Sequence, residues 1–247
     1  MSPAPRCTVW WAAPVEPERA PALVGLLDAD ERDRLARFRR PADRARYLAA
    51  HALVRLVLAD DGAAAARLSF DRSCRCGVPH GKPVLPGGPG FSLSHAGDLV
   101  GVAVRPDGAV GLDVEQVRDV ADLAALAAHV HSPAERVRDA VPDRAAFFRT
   151  WTRKEALLKA TGDGLAAPMT AITLAADGSV EEWVADQRAG VDGAAADMVG
   201  RNGHAGRREP MWLRDLMPAV DHPAAVAGPG ERAPEIVEAD GDAVLRR

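Results

Sequence analysis

The chain has 247 residues, enough for one large domain or two small ones, and 47% of them are hydrophobic, enough for a sizeable core. Its net charge of −4 argues against a dedicated nucleic-acid binder, which carries a basic excess. No apolar run is long enough to span a bilayer, residues 1–11 lack a signal-peptide stretch, and Cys7, Cys74 and Cys76 make no disulfide framework, so the expectation is a soluble cytoplasmic protein.

Residues 8–12, Thr-Val-Trp-Trp-Ala, read as a short strand, and 16–60 as mostly helical. Asp43 is the expected cap of a helix from 44 to about 60, with Leu48, Ala52, Leu56 and Ala59 on one face. Alanine-rich 62–66 leads to a strand near 67–71, and 72–90, thick with Gly, Pro and Cys, is loop. In that loop Cys74-x-Cys76-x3-His80 is one ligand short of a tetrahedral zinc site; Cys7 is a candidate fourth, but a loop with free thiols is the simpler reading.

Strand-like runs follow at 91–95 and 99–105, and the turn signal Pro106-Asp107-Gly108 predicts a hairpin with 109–115. Ser132-Pro133-Ala134-Glu135 is a capping box with Pro at the first helical position. A helix is predicted over 143–160, stopped by Gly162. Strands are predicted at 171–175 and 180–185 around Asp177-Gly178, then an aperiodic loop at 186–209, strands at 211–216 and 223–227, and a poorly ordered tail at 228–247. Separate helical and antiparallel-looking runs give an α+β class, and both halves run from helices to late strands, a hint of internal duplication.

Of the 31 basic residues only Lys82, Lys154 and Lys159 are lysines, so the chain uses a compact ammonium at few places and the arginine fork everywhere else. In Gly111-Leu112-Asp113-Val114-Glu115 a strand puts both acids on one face, with Leu112 and Val114 behind. Two adjacent carboxylates repel unless a cation joins them, and a hard ion such as Mg2+ suits that set; a solvated strand edge is the plain alternative. Glu155 and Lys159 share a helix face, beside a stripe of Phe147, Trp151, Lys154 and Leu158, which holds Glu155 against the buried side. Arginines crowd residues 32–55, either a solvated helix face or a phosphate clamp. His95 closes Ser92-Leu93-Ser94-His95 before a loop of small residues, and Gly81-Lys82-Pro83 is a rigid turn. Metal-seeking acids, phosphate-seeking cations and a rigidly held base are together the equipment for displacement at phosphorus.

The order of these segments resembles the 4′-phosphopantetheinyl transferases of the larger, Sfp-like single-chain type. The resembling stretches are 37–46, Gly81-Lys82-Pro83, 91–95, 111–115 and Trp151-Thr152-Arg153-Lys154-Glu155-Ala156-Leu157-Leu158-Lys159, with the turn at 162–165 continuing the match. The resemblance implies two similar α+β subdomains related by a pseudo-twofold axis, here 1–108 and 109–227, with coenzyme A held between them. It implies Mg2+-dependent transfer of 4′-phosphopantetheine to a serine of an apo acyl or peptidyl carrier protein, releasing adenosine 3′,5′-bisphosphate, by a monomer that needs neither nucleic acid nor membrane. Carried over, Asp113, Glu115 and Glu155 ligate Mg2+; Glu155, Lys159 and His95 are catalytic; Arg34, Arg46, Lys82, Pro83, Ser94, His95, Lys154 and Lys159 hold coenzyme A. The family often has lysine where the early basic segment has only arginine, which leaves the 3′-phosphate ligands open. The alternative is a catalytically silent coenzyme A or nucleotide binder, although such a protein has no need of Glu155.

Overall fold

The computed structural model describes residues 5–59, 61–73, 81–139, 143–162, 167–184 and 209–247. Among them no helix is long and apolar enough to cross a membrane. The Cys74–His80 loop, the turn at 163–166 and nearly all of the aperiodic stretch lie outside the described residues.

Strand β1 (Arg6–Ala12) opens the chain and is followed by helices α1 (Pro21–Leu26), α2 (Ala29–Arg37), α3 (Pro41–Val57) and α4 (Gly62–Arg67). Helix α3 begins earlier than the expected cap at Asp43, because Pro41 occupies its first turn with φ already set; Arg40 is the N-cap, and Asp43 accepts from Arg46 instead. The strand expected near 67–71 does not form: α4, capped by Asp61 accepting from Ala64 N–H, runs to Arg67, the next residues are irregular, and only an isolated Asp71–Val84 bridge remains.

Strands β2 (Gly90–Ala96) and β3 (Leu99–Arg105) pair antiparallel, and β3 pairs antiparallel with β1. Both edges of β3 are therefore taken, and the hairpin expected after Pro106-Asp107-Gly108 does not form. Instead β4 (Gly111–Val114) crosses to a second sheet, ordered β4-β8-β7, with β7 (Met211–Ala219) and β8 (His222–Pro229). Between them come α5 (Leu123–Val130), α6 (Pro133–Arg138), α7 (Arg144–Thr161) and a two-stranded sheet of β5 (Ile172–Leu174) and β6 (Val180–Trp183). The capping box forms at Ser132 and Glu135, and α7 starts at an Asp143 cap and ends at left-handed Gly162, φ 76°.

The tail expected to be poorly ordered is instead β9 (Glu235–Asp240) and α8 (Gly241–Leu245). β9 adds in parallel to the open edge of β1, completing the order β2-β3-β1-β9. Ile236 tucks against the core, while Glu235 pairs with Arg6 and Glu238 accepts from the Trp11 indole N–H, so the edge is made by a few side chains amid polar ones.

Alternation along the strands stacks the layers. Ala12, Val100, Val102 and Val104 face α3, where Leu48, Ala49, Ala52 and Leu53 are buried. The other face, with Cys7, Val9 and Ala103, meets Leu112, Trp212 and Val226 of the second sheet. That sheet turns Ala225 and Ala227 to α7, where Phe147, Ala156 and Leu157 are buried. The result is an α+β fold in which helix, sheet, sheet and helix are layered. A Cβ at Gly111 would lie 1.9 Å from the Ala156 carbonyl oxygen, so only glycine lets β4 run this close to α7.

Candidate active site

The close approach at Gly111 brings the acids of β4 beside the middle of α7. β4 is an edge strand, and two of its edge N–H groups find side-chain partners across the sheet boundary: Leu112 N–H donates to Ser92 Oγ (3.0 Å) and Val114 N–H to Ser94 Oγ (3.3 Å). The alternating serines of β2 thus stitch the first sheet to the second.

Asp113 lies at this seam, 5% exposed. One carboxylate oxygen accepts from Ser94 Oγ (2.8 Å) and from the Lys159 ammonium (2.6 Å). Lys159 also donates to Ser94 Oγ and to the Leu112 carbonyl. The other oxygen, Oδ2, is buried without a hydrogen-bond partner. Burial raises the pKa of Asp113 against the opposing pull of Lys159.

Glu115 lies two residues on, held by Arg118 at 3.0 Å. Its pKa is raised, by burial first and by Asp113 among the charges. Glu155 comes from α7, and no hydrogen bond among the described residues ties down its carboxylate. Burial raises its pKa, and Asp113 and Glu115 raise it further while Lys159 opposes. Glu155 thus lies within reach of the charges of Asp113 and Glu115, and Glu115 within reach of that of Asp113. Among the described residues no three such side chains form a metal-holding cluster; Arg118 bonds one Glu115 oxygen and Lys159 one Asp113 oxygen. The orphaned Oδ2, the mutual repulsion and the all-oxygen donor set fit a hard divalent ion.

His95 ends β2 with its ring exposed; the crowding of the surrounding protein, then Lys159 and Arg46, push its pKa down to about 4. Arg46 on α3 donates to the Gly97 carbonyl (2.6 Å) in the turn after His95 and to Asp43 (2.5 Å). A Cβ at Gly97, φ 57°, would lie 2.7 Å from the Gln116 side chain and 2.9 Å from that of His222, so this turn is packed against the end of the second sheet. Ser94, His95, Arg46, Lys159 and the three acids consequently belong to one neighbourhood.

Arg34 lies apart, on a groove of about 850 Å³ that Arg37, Tyr47, Phe70 and Arg72 also line. Beneath it a buried network binds α2 to α3. Arg55 donates to Glu31 and Asp28, Arg72 pairs with Glu31, and His51 hydrogen-bonds Glu31 (2.9 Å) while stacking on Tyr47. Burial works to raise Glu31, but His51, Arg55 and the Asp28 backbone N–H hold it down at about 2.

Two lysines differ from expectation. Lys154 does not reach the phosphate side: its ammonium, fully buried, donates to the carbonyls of Val130, Met169 and Ile172 and to Glu135. It belongs to the Phe147–Trp151–Leu158 stripe, whose spacing faces the core. Lys82 gives its ammonium to the carbonyls of Val110 and Lys159. Burial and then the Lys159 charge lower its pKa to about 8. Cys7, the candidate fourth zinc ligand, is a core residue whose thiol burial pushes up to about 12. The sequence assigned no role to Ser92 or Arg118; alternation with Ser94 in an apolar strand was the available sign for the first, and an exposed arginine three residues past an acid gives none.

Residues 109–193, which carry the three acids and Lys159, match the model of the 4′-phosphopantetheinyl transferase superfamily. The chain is 36% identical to the 4′-phosphopantetheinyl transferase HetI of a Nostoc species over 168 residues, 63% of this chain and 69% of that protein. It is 34% identical to a phosphopantetheinyl transferase of a Thraustochytrium species over 172 residues, 62% of this chain and 58% of that one. A third relative, the 4′-phosphopantetheinyl transferase psf-1 of Bacillus pumilus, is 36% identical over 124 residues, 44% and 49% of the two chains. The chain belongs to the 4′-phosphopantetheinyl transferase superfamily. It is an enzyme of that kind, a transferase that places phosphopantetheine on carrier proteins.

Proposed function

We propose that this transferase takes 4′-phosphopantetheine from coenzyme A and attaches it to a serine of an apo acyl or peptidyl carrier protein, with Mg2+ as cofactor and adenosine 3′,5′-bisphosphate as the other product. The observation that carries the metal and the base is that burial raises Asp113, Glu115 and Glu155 alike, with Asp113 adding to Glu115 and both adding to Glu155, beside an unpartnered buried carboxylate oxygen. Asp113, Glu115 and Glu155 would hold Mg2+, which supplies positive charge against the pyrophosphate oxygens when bound.

The residues of the chain divide the remaining work. Glu155, untied and with a raised pKa, takes or orients the proton of the carrier serine, whose oxygen bonds to the β-phosphorus as the bond to the departing bisphosphate breaks. Lys159 and His95 face the phosphates: Lys159, oriented by Ser94, offsets charge as it shifts, and the neutral His95 ring donates a hydrogen bond. Arg46, near His95, binds the 3′-phosphate, with Arg34 on the separate groove as a second candidate; Lys82 and Pro83 border the adenine. Coenzyme A lies between two α+β subdomains, 1–108 and 109–227, related by a pseudo-twofold axis. The enzyme works as a cytoplasmic monomer on carriers of secondary metabolism, without nucleic acid or membrane.

Incubation of the protein with Mg2+, coenzyme A and a panel of apo carriers tests the reading. The expected result is a gain of one phosphopantetheine in the mass of at least one carrier, abolished by EDTA. Unchanged mass across acyl and peptidyl carriers alike, with coenzyme A still bound, would leave only a silent binder.

A further inference from the structure

Among the described residues Lys82 is the one lysine whose ammonium meets only backbone: Val110 O at 2.7 Å and Lys159 O at 2.9 Å. These carbonyls belong to the two elements that build the acid site. Val110 immediately precedes β4, which carries Asp113. The Lys159 carbonyl lies in the last turn of α7, whose carbonyls have no intrahelical donor and sit at the negative end of the helix dipole. A cation at that position caps the helix while holding the strand.

The segment that delivers Lys82 is itself fixed. Gly81 N–H donates to the Arg72 carbonyl, and Asp71 and Val84 exchange two backbone hydrogen bonds around it. A Cβ on Gly81 would lie 2.4 Å from the Ser73 carbonyl, so the turn is tight against its neighbour. The ammonium therefore hangs from a rigid turn, and the Lys82 stem is half-buried. From the other side Gly111 presses β4 onto Ala156 and Ala160 of the same helix.

We infer that Lys82 is a positioning residue: a single ammonium staples the entry of β4 to the end of α7, and so sets the separation of Asp113 from Glu155 and the aim of Lys159. It acts through those residues and gives coenzyme A no side-chain contact. The inference rests on the transferase reading for its kinetic readout, and on cation binding for an independent one.

The test compares Lys82→Met, which keeps the stem and loses the donors, with Lys82→Arg, which keeps a cation. Displacing a catalytic group by about 1 Å costs on the order of 100-fold in rate. For Lys82→Met the expected result is therefore a kcat lower by about 10- to 100-fold, with KM for coenzyme A within about twofold and a higher Mg2+ concentration at half-maximal rate. Calorimetric titration of the protein with Mn2+, without carrier, should show weaker binding by Lys82→Met, and Lys82→Arg should recover part of both losses. A raised KM for coenzyme A with kcat and Mn2+ binding unchanged would overturn the inference and make Lys82 a nucleotide ligand. Wild-type rates and Mn2+ affinity in Lys82→Met would overturn it as well. Should Lys82→Met not fold, Lys82→Arg decides: a lower kcat together with weaker Mn2+ binding and an unchanged KM for coenzyme A supports the staple, whereas wild-type values throughout, or weakened coenzyme A binding alone, refute it. A wild-type protein inactive on every carrier would defeat the transferase reading instead, and the Mn2+ titration would still judge the staple.

Discussion

At Glu155 function and stability pull in opposite directions. Burial and the charges of Asp113 and Glu115 raise its pKa, so the folded protein binds a proton there more readily than the unfolded chain does. For such a group the ionised form costs stability above the folded pKa, and the cost disappears as pH falls below it. Glu155→Gln removes that cost while keeping the shape. In the presence of EDTA at pH 7–8 the variant should be more stable than the parent by on the order of 1 kcal/mol, and the two should converge in acid. The same variant should transfer no phosphopantetheine. Thermal denaturation with and without EDTA checks the first statement and mass spectrometry of a carrier the second; a less stable variant would mean that Glu155 is not crowded by its neighbours. Mg2+ should raise the melting temperature of the parent more than that of the variant, because ligand binding to the native state alone adds stability.

At the level of the element, α7 is held by a charge that the site does not use. Lys154 is surrounded by three carbonyls and Glu135, and Glu135 in turn accepts from Ser132 and Leu174 N–H. Removing one partner of a buried pair strands the other, at about 3–5 kcal/mol. Lys154→Ala should lose that much in urea denaturation, and the folded fraction should keep its KM for coenzyme A; a raised KM with unchanged stability would return Lys154 to the phosphate side. Helix α2 depends on Glu31 in a similar way. Its pKa is lowered from 4.5 to about 2, so the stability it brings is full above the ordinary glutamate range and drains away between about pH 4.5 and 2. Glu31→Gln should flatten that part of the stability–pH curve. Much of α7 was legible: its extent over about 143–160, the Gly162 stop and the placing of Glu155 beside the buried stripe are local signals. The same stripe contained Lys154, and periodicity already placed it inward. The failed hairpin at Pro106-Asp107-Gly108 shows the limit. A turn signal says that the chain reverses, but not that β1 has already taken the free edge of β3.

Over the whole molecule, the acids were readable as a pattern but their convergence was not. Asp113 and Glu155 are far apart in sequence, and what joins them is the glycine contact at 111, the serines of β2 and the small residues of β8. The closing segment was illegible for a different reason: β9 alternates weakly and draws its order from pairing with residues at the other end of the chain. It is nevertheless structural. Val244 and Leu245 are buried against α3, Asp242 accepts from Ala13 N–H, and β9 covers the exposed edge of β1. Each buried Val or Leu is worth about 1.5–3 kcal/mol, so the two together approach the low end of the about 5–15 kcal/mol that holds a domain folded. Truncation after Gly230 should therefore yield an aggregating protein, since it also bares a strand edge that invites pairing between chains. The damage should spread to the site, because β1 anchors β3, β3 anchors β2, and β2 supplies Ser94 to Asp113. Soluble yield, melting temperature and carrier modification of the truncated chain measure this; a soluble, active product melting near the full-length value would show that the first sheet holds without its last strand.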